Sequence, residues 1–127
     1  MIENKTAVIV DDDQKIVLMV EKTLKEMGFR VYTAGDGNKA LELVTSEKPV
    51  LLITDILQPG VDGLALCKKI KNDPGLLNTK VILITGVFSG SSFKLQMDCE
   101  PDAFLDKPLD LEKLKKVVET TLNNPVG

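Results

Sequence analysis

The chain has 127 residues, of which 43% are hydrophobic and 28% are charged, which is the composition of one ordinary globular domain. The formal net charge is −3 and the pI is near 5.0, without a dense cluster of lysine and arginine, so nucleic acid is not an expected direct partner. The apolar runs are far shorter than the roughly 20 residues that cross a bilayer, and the first residues do not resemble a signal peptide. We therefore expect a cytoplasmic protein without membrane insertion.

Short apolar runs rich in β-branched residues alternate along the chain with longer stretches of helical period. Several of the short runs are apolar throughout, as is typical of parallel strands covered on both faces. The pattern predicts an α/β domain with strands at 6–10, 30–33, 50–54, 80–84 and 103–105.

The helices predicted between these strands have recognisable ends. The first begins after Asp13, which has the residue type of an N-cap, and stops at Gly28. The segment 86–98 has two glycines and three serines in its first half, and predicts a short or mobile helix that starts late. The remaining helices are expected at 38–46, 62–73 and 110–122.

Polar side chains stand where four of the predicted strands end. Asp11 and Asp12 follow the first strand, Asp55 the third, Thr85 the fourth and Lys107 the fifth. In an open parallel sheet these ends lie along one edge, which is where such sheets hold their sites. Three neighbouring carboxylates repel one another, and a hard cation such as Mg²⁺ relieves that repulsion with oxygen ligands. The pattern predicts a magnesium site at this edge.

Each residue also has a simpler interpretation when it is taken alone. Asp13 is expected to be an N-cap rather than a ligand, and Asp11 could be a solvated turn residue. Thr85 could bond to backbone at a strand end, Lys107 could be a surface lysine, and Phe104 could be a core residue. Their joint placement at four strand ends favours a shared site.

Four segments, "VDDD", "DILQPGVDG", "LITG" and "FLDKP", resemble in order and separation the receiver domain of bacterial two-component response regulators, with the chemotaxis regulators as the nearest type. The resemblance covers about residues 5–122 and implies a single receiver domain over 1–127. It also implies a flavodoxin-like, doubly wound parallel sheet of five strands in the order 2-1-3-4-5, with helices on both faces.

The resemblance implies a role for each residue at the edge of the sheet. Asp55 is the expected phosphorylation site. Mg²⁺ is the expected cofactor, bound by Asp12, Asp55 and the backbone carbonyl of Leu57, with Asp11 acting through water. Lys107 is expected to bind the phosphoryl group.

The same resemblance implies a conformational switch and its partners. Thr85 is expected to bind the phosphoryl group and to move toward it, and Phe104 to turn inward in response. The output face is then the fourth predicted helix, the fifth strand and the fifth predicted helix, which a downstream effector would contact. The chain contains no histidine, so a sensor histidine kinase or a histidine phosphotransfer protein must donate the phosphoryl group. We expect a phosphoacceptor signalling domain rather than an enzyme.

Two features depart from or qualify the family pattern. Gln58 stands where the family often has methionine. Leu57 and Val87, two positions beyond Asp55 and Thr85, flank the expected approach of water in receivers and can neither donate nor accept a hydrogen bond. We expect these two residues to slow hydrolysis of the phosphorylated form.

Two other functions are weighed against the receiver hypothesis. An aspartyl phosphatase similar to the haloacid dehalogenase superfamily could use Asp11 as nucleophile and Asp13 as general acid, although Lys15 does not fit that pattern. A pseudo-receiver could act as an adaptor without phosphorylation. The sequence does not distinguish a stand-alone regulator from a receiver that belongs to a larger regulator or hybrid kinase.

Overall fold

The computed structural model of the chain describes residues 5–86 and 99–123. The strands are β1 (Thr6–Val10), β2 (Arg30–Ala34), β3 (Leu51–Asp55), β4 (Lys80–Thr85) and β5 (Ala103–Asp106). The described helices are α1 (Gln14–Glu26), α2 (Gly37–Glu47), α3 (Gly63–Lys71) and a C-terminal helix (Leu111–Asn123), with one 3-10 turn at Pro74–Leu76. The helix expected over 86–98 falls outside the described residues except for Gly86.

The five strands form one parallel sheet in the order β2-β1-β3-β4-β5, which confirms the predicted topology. Each predicted strand agrees with the observed one to within one residue at either end. Because all strands run the same way, their carboxyl ends lie at one edge of the sheet. The reversal of strand order between β1 and β3 places the crevice of such a fold at that edge.

Helices cover both faces of the sheet. In β1, Ala7 and Ile9 pack with α1 and the C-terminal helix on one face, while Val8 and Val10 pack with α2 and α3 on the other. All four side chains are fully buried, and burying a side chain of the size of valine or isoleucine stabilises the fold by about 1.5–3 kcal/mol. Among the described helices, none is both long and apolar enough to cross a membrane.

Helix α1 begins and ends as the sequence predicts. The Asp13 carboxylate accepts a hydrogen bond from the Lys15 backbone N–H at 3.0 Å, which confirms Asp13 as the N-cap. After the helix, Gly28 has a φ of 97°, a left-handed conformation that glycine adopts without the steric cost of a Cβ atom. These two ends set the length of the helix that follows β1.

The loop between β3 and α3 packs against the first turn of α2. The Gly37 backbone N–H donates to the Pro59 carbonyl at 3.0 Å, and a Cβ atom on Gly37 would lie only 1.6 Å from the Val61 carbonyl oxygen. A Cβ atom on Gly63 would lie 2.2 Å from the Asp55 carbonyl oxygen. Glycine at these two positions therefore lets the loop that follows Asp55 lie close to the sheet and to α2.

We expect Gly37→Ala to destabilise the protein, because the new methyl group would overlap a backbone oxygen and force the loop outward. The free energy of unfolding should fall by about 1–3 kcal/mol, as in other overpacked sites. Urea denaturation followed by circular dichroism measures the change. Gly35→Ala is the matched control, since its Cβ would meet nothing within 4 Å and it should change stability by less than about 1 kcal/mol. Equal stability of the two variants would contradict the packing argument.

Candidate functional site

The three consecutive aspartates after β1 have three different environments. Asp11 is fully buried, and its Oδ1 accepts a hydrogen bond from the Asp13 backbone N–H at 2.9 Å. Asp12 is exposed beside it. Asp13 points to the helix and caps it. The burial of Asp11 excludes the simpler interpretation that it is a solvated turn residue.

Asp55 adds a third carboxylate to those of Asp11 and Asp12. It is the last residue of β3, and it is 7% exposed. One carboxylate oxygen from each of Asp11, Asp12 and Asp55 can be chosen so that all lie within 4.8 Å of one another. Strand pairing of β1 with β3 holds this cluster together, so the grouping follows from the fold.

Lys107 is the positive group that faces the carboxylates. Its Nζ lies 3.2 Å from Asp55 Oδ2, to which it donates a hydrogen bond, and 3.4 Å from Asp11 Oδ2. Its backbone N–H donates to the Thr85 carbonyl at 2.8 Å, which ties the end of β5 to the end of β4. A Cβ atom on Gly86 would lie 3.3 Å from Lys107 Cδ, so glycine there leaves room for the lysine stem. Lys107 is therefore a member of the site and not a free surface lysine.

The electrostatics of the cluster are unfavourable for Asp11. Burial, together with the charge of Asp55, raises the pKa of the Asp11 carboxyl above its usual value, although the hydrogen bond from Asp13 and the charge of Lys107 oppose this. Burial by itself lowers the pKa of Lys107, but the hydrogen bond to Asp55 and the charges of Asp11 and Asp55 outweigh it and raise that pKa. The site thus holds more negative charge than one ammonium group balances.

The donor set fits a hard divalent cation. In the described part of the chain, Asp11 Oδ2 is the single buried side-chain oxygen or nitrogen without a hydrogen-bond partner. Buried polar atoms are nearly always hydrogen-bonded, so this oxygen, whose contact with the Lys107 ammonium is an ion pair at 3.4 Å, has room for a further partner such as a water molecule held by a cation. Carboxylate oxygens are better ligands for a hard ion such as Mg²⁺ than for softer metal ions.

A family model described as the response regulator receiver domain matches residues 7–119. The chain belongs to the receiver domain family.

Sequence and structural similarity to known proteins supports this assignment. The alkaline phosphatase synthesis transcriptional regulatory protein PhoP of Bacillus subtilis is 29% identical over 119 residues, which are 94% of this chain and 49% of that protein. The chain thus spans about half the length of this curated relative. The chemotaxis response regulator CheY4 of Vibrio cholerae matches with a TM-score of 0.85 at 25% identity, over 94% of this chain and 99% of that one. The receiver domain of a histidine kinase from Syntrophus aciditrophicus matches with a TM-score of 0.83 at 29% identity, over 93% and 89%.

Membership in the receiver family weighs against the phosphatase hypothesis. That hypothesis needs Asp13 as a general acid, but the Asp13 carboxylate is engaged by the backbone at the start of α1. The buried carboxylate next to it, Asp11, lies beside Asp55 and Lys107, as the receiver hypothesis expects.

The structure places the remaining predicted residues of the receiver as follows. Thr85 is buried at the end of β4, and Phe104 is half-buried in β5, where it packs against the cluster that α2 and α3 cover. The Leu57 side chain lies in the loop after Asp55 and is 58% exposed. Val87 lies outside the described residues.

Sequence reasoning missed two polar groups that hold the fold, Gln58 in the loop after Asp55 and Asp102 at the opposite, amino edge of the sheet. Gln58 bridges Thr54 and Val61 through its side-chain amide, although the sequence marked it only as a departure from the family pattern. Asp102 accepts hydrogen bonds from the Val81 backbone N–H at 2.7 Å and from Lys71 Nζ at 2.6 Å, and so anchors the start of β5. A motif search could not find either group, because each acts through partners that only the fold brings near.

We expect Asp11→Asn to stabilise the receiver in the absence of divalent cations. The amide keeps an oxygen that can accept from Asp13, but it removes a charge that burial and Asp55 disfavour. The free energy of unfolding in EDTA at pH 7 should rise by about 1 kcal/mol.

Asp13→Asn is the matched control, because it removes a neighbouring exposed carboxylate while asparagine caps a helix equally well. Chemical denaturation of both variants and of the parent measures the difference. Loss of stability in Asp11→Asn would show that the pair with Lys107 outweighs the repulsion.

Proposed function

We propose that this receiver accepts a phosphoryl group from a phosphohistidine of a partner protein onto Asp55, in a reaction that needs Mg²⁺. The observation that carries the proposal is the cluster of Asp11, Asp12 and Asp55 facing Lys107 in a member of the receiver family. The partner is a sensor histidine kinase or a histidine phosphotransfer protein, because the chain contains no histidine of its own.

Asp55 is the nucleophile in the proposed reaction. One of its oxygens forms a bond to phosphorus, the phosphorus–nitrogen bond of the donor breaks, and the bonding electron pair stays on the imidazole nitrogen. The product is a mixed acyl phosphate. A carboxylate is a weak nucleophile, so positioning and charge stabilisation must provide most of the acceleration.

Asp12, Asp55 and the backbone carbonyl of Leu57 are the proposed direct ligands of Mg²⁺, with Asp11 acting through water. When it is bound, Mg²⁺ neutralises charge between the carboxylates and the phosphoryl oxygens. Burial of Asp11 and its fixed hydrogen bond to Asp13 support a role in orienting the site rather than in reaction with the donor.

Lys107 and Thr85 are the proposed protein ligands of the phosphoryl group. The Lys107 ammonium already donates to Asp55, so it lies where the transferred group would arrive. Thr85 would move toward the new oxygens, and Phe104 would then turn inward and alter the face formed by the fourth predicted helix, β5 and the C-terminal helix. NMR shifts of the Phe104 ring on phosphorylation that persist in Thr85→Ala would contradict this coupling.

The receiver would act on other proteins and not as an enzyme on small substrates. Its phosphorylated face would be read by a downstream effector, and nucleic acid is not a proposed direct partner, in keeping with the net charge of −3. The curated relative is named as a transcriptional regulator and is about twice as long as this chain, so its activity is not transferred to the receiver alone.

Labelling with a radioactive small acyl phosphate such as acetyl phosphate tests the proposal. The parent should incorporate label in the presence of Mg²⁺, and Asp55→Asn and Asp12→Ala should not. Thr85→Ala should still be labelled, because it belongs to the switch and not to the nucleophile. Circular dichroism of every variant checks that the fold is kept.

Each other outcome supports a different function. Label that persists in Asp55→Asn and disappears in Asp11→Asn would support the phosphatase hypothesis. No label from acetyl phosphate or from any phosphohistidine donor would support a pseudo-receiver adaptor.

We further propose that Leu57 slows hydrolysis of the acyl phosphate, as the sequence suggests for Leu57 and Val87 together. The exposed Leu57 side chain cannot orient a water molecule for in-line attack. Leu57→Asn should therefore shorten the lifetime of the labelled protein by about 10- to 100-fold. Leu77→Asn is the matched control, since Leu77 is an equally exposed leucine beyond α3 and the 3-10 turn. Equal decay of the two labelled variants would refute the proposal.

A further inference from the structure

The side chain of Gln58 connects the two ends of the loop that joins β3 to α3. Its Oε1 accepts a hydrogen bond from Thr54 Oγ1 at 3.0 Å, and its Nε2 donates to the Val61 carbonyl at 3.1 Å. Thr54 is fully buried in β3, immediately before Asp55. The amide thus spans the segment that contains Leu57.

The chemistry of the two partners dictates the orientation of the amide. The Val61 carbonyl can only accept, so the NH₂ group must face it, and the amide oxygen then faces the Thr54 hydroxyl. That hydroxyl has one proton and a second acceptor, the Asp55 carbonyl oxygen at 3.0 Å. Without the Gln58 amide, the buried Thr54 hydroxyl would still donate to the Asp55 carbonyl. The lost hydrogen bond to Val61 would therefore affect mainly the loop.

The backbone around Leu57 is held on either side but not at Leu57 itself. The Ile56 carbonyl accepts from the Gly63 N–H at 2.8 Å, and the Pro59 carbonyl accepts from the Gly37 N–H at 3.0 Å. Within residues 5–86 and 99–123, no backbone hydrogen bond engages Leu57. The direction of its carbonyl therefore depends on how its neighbours are held, and Gln58 is the next residue.

We propose that Gln58, together with Thr54, is a positioning residue that directs the Leu57 carbonyl toward the cation at the acidic cluster. This inference rests on the proposed function, since it concerns the same Mg²⁺. Gln58 is not itself a ligand in this proposal. It acts by restricting the loop through the two hydrogen bonds of its amide, as partners that orient metal ligands do.

Mg²⁺ titration of the unphosphorylated protein, followed by NMR of the backbone amides of 56–63, tests the proposal without any phosphoryl donor. Gln58→Met keeps the length of the side chain and removes both hydrogen bonds, and it should weaken Mg²⁺ binding by about 10-fold, the lower end of what loss of an orienting partner costs. Gln14→Met is the matched control, because Gln14 is exposed and its amide makes no hydrogen bond within residues 5–86 and 99–123. It should bind Mg²⁺ as the parent does.

Thr54→Val provides a second, independent variant. It removes the hydroxyl donor to Gln58 while keeping a β-branched side chain in a buried strand, so it should also weaken Mg²⁺ binding. The double variant Thr54→Val, Gln58→Met should bind no more weakly than Gln58→Met alone, because the two residues act as one unit. The midpoint of urea denaturation should change little in Gln58→Met, which separates positioning from folding.

The outcomes distinguish failure of this inference from failure of the proposed function. Mg²⁺ binding that is equal in the parent, Gln58→Met and Thr54→Val would overturn the inference and leave the magnesium site intact. A parent that binds no Mg²⁺ would overturn both. Additive effects in the double variant would show that the two residues do not act together, and would also overturn the pair as proposed.

Discussion

The repulsion among three carboxylates at one edge of the sheet is the constraint on which the site depends. Asp11, Asp12 and Asp55 offer oxygens within 4.8 Å of one another, and Lys107 is the ammonium that lies 3.2–3.4 Å from two of them. Water screens such charges poorly when they are buried, as Asp11 is. The arrangement persists because strand pairing and helix packing stabilise the fold by more than the repulsion destabilises it.

The buried hydrophobic sheet offsets the repulsion among the carboxylates and fixes their positions. β1 and β3 are buried on both faces, so a slip of their register would move apolar side chains out of the core at one end of the strand and polar residues into it at the other. The position of Asp55 relative to Asp11 is therefore as well determined as the core. At the end of β5, the hydrogen bond from the Lys107 backbone N–H to the Thr85 carbonyl fixes the backbone position of the lysine relative to β4.

The strands and the N-cap were predictable because each depends on residues that are neighbours in sequence. Asp13 caps the helix that starts one residue later, and the apolar run of β1 indicates a buried strand. The convergence of Asp11, Asp55 and Lys107 was also predictable, since a parallel sheet brings strand ends together. The bridge from Gln58 to Thr54 and Val61 was not, because it depends on the path of the loop over 56–62 and on glycines that allow its close approach.

Counting charges indicates what a phosphoryl group on Asp55 would change. The three carboxylates and Lys107 together carry a net charge of −2, which one divalent cation balances. An acyl phosphate replaces the single charge of Asp55 by about −1.5 to −2, so the net charge of the site changes by no more than about one unit. Charge alone is then a weak signal. The larger change is geometric, since three acceptor oxygens would project beyond the end of β3, toward the hydroxyl of Thr85 and the ammonium of Lys107. A switch built on this site would therefore depend on where donors can move, and Thr85, buried at the end of β4, is the donor proposed to move toward them.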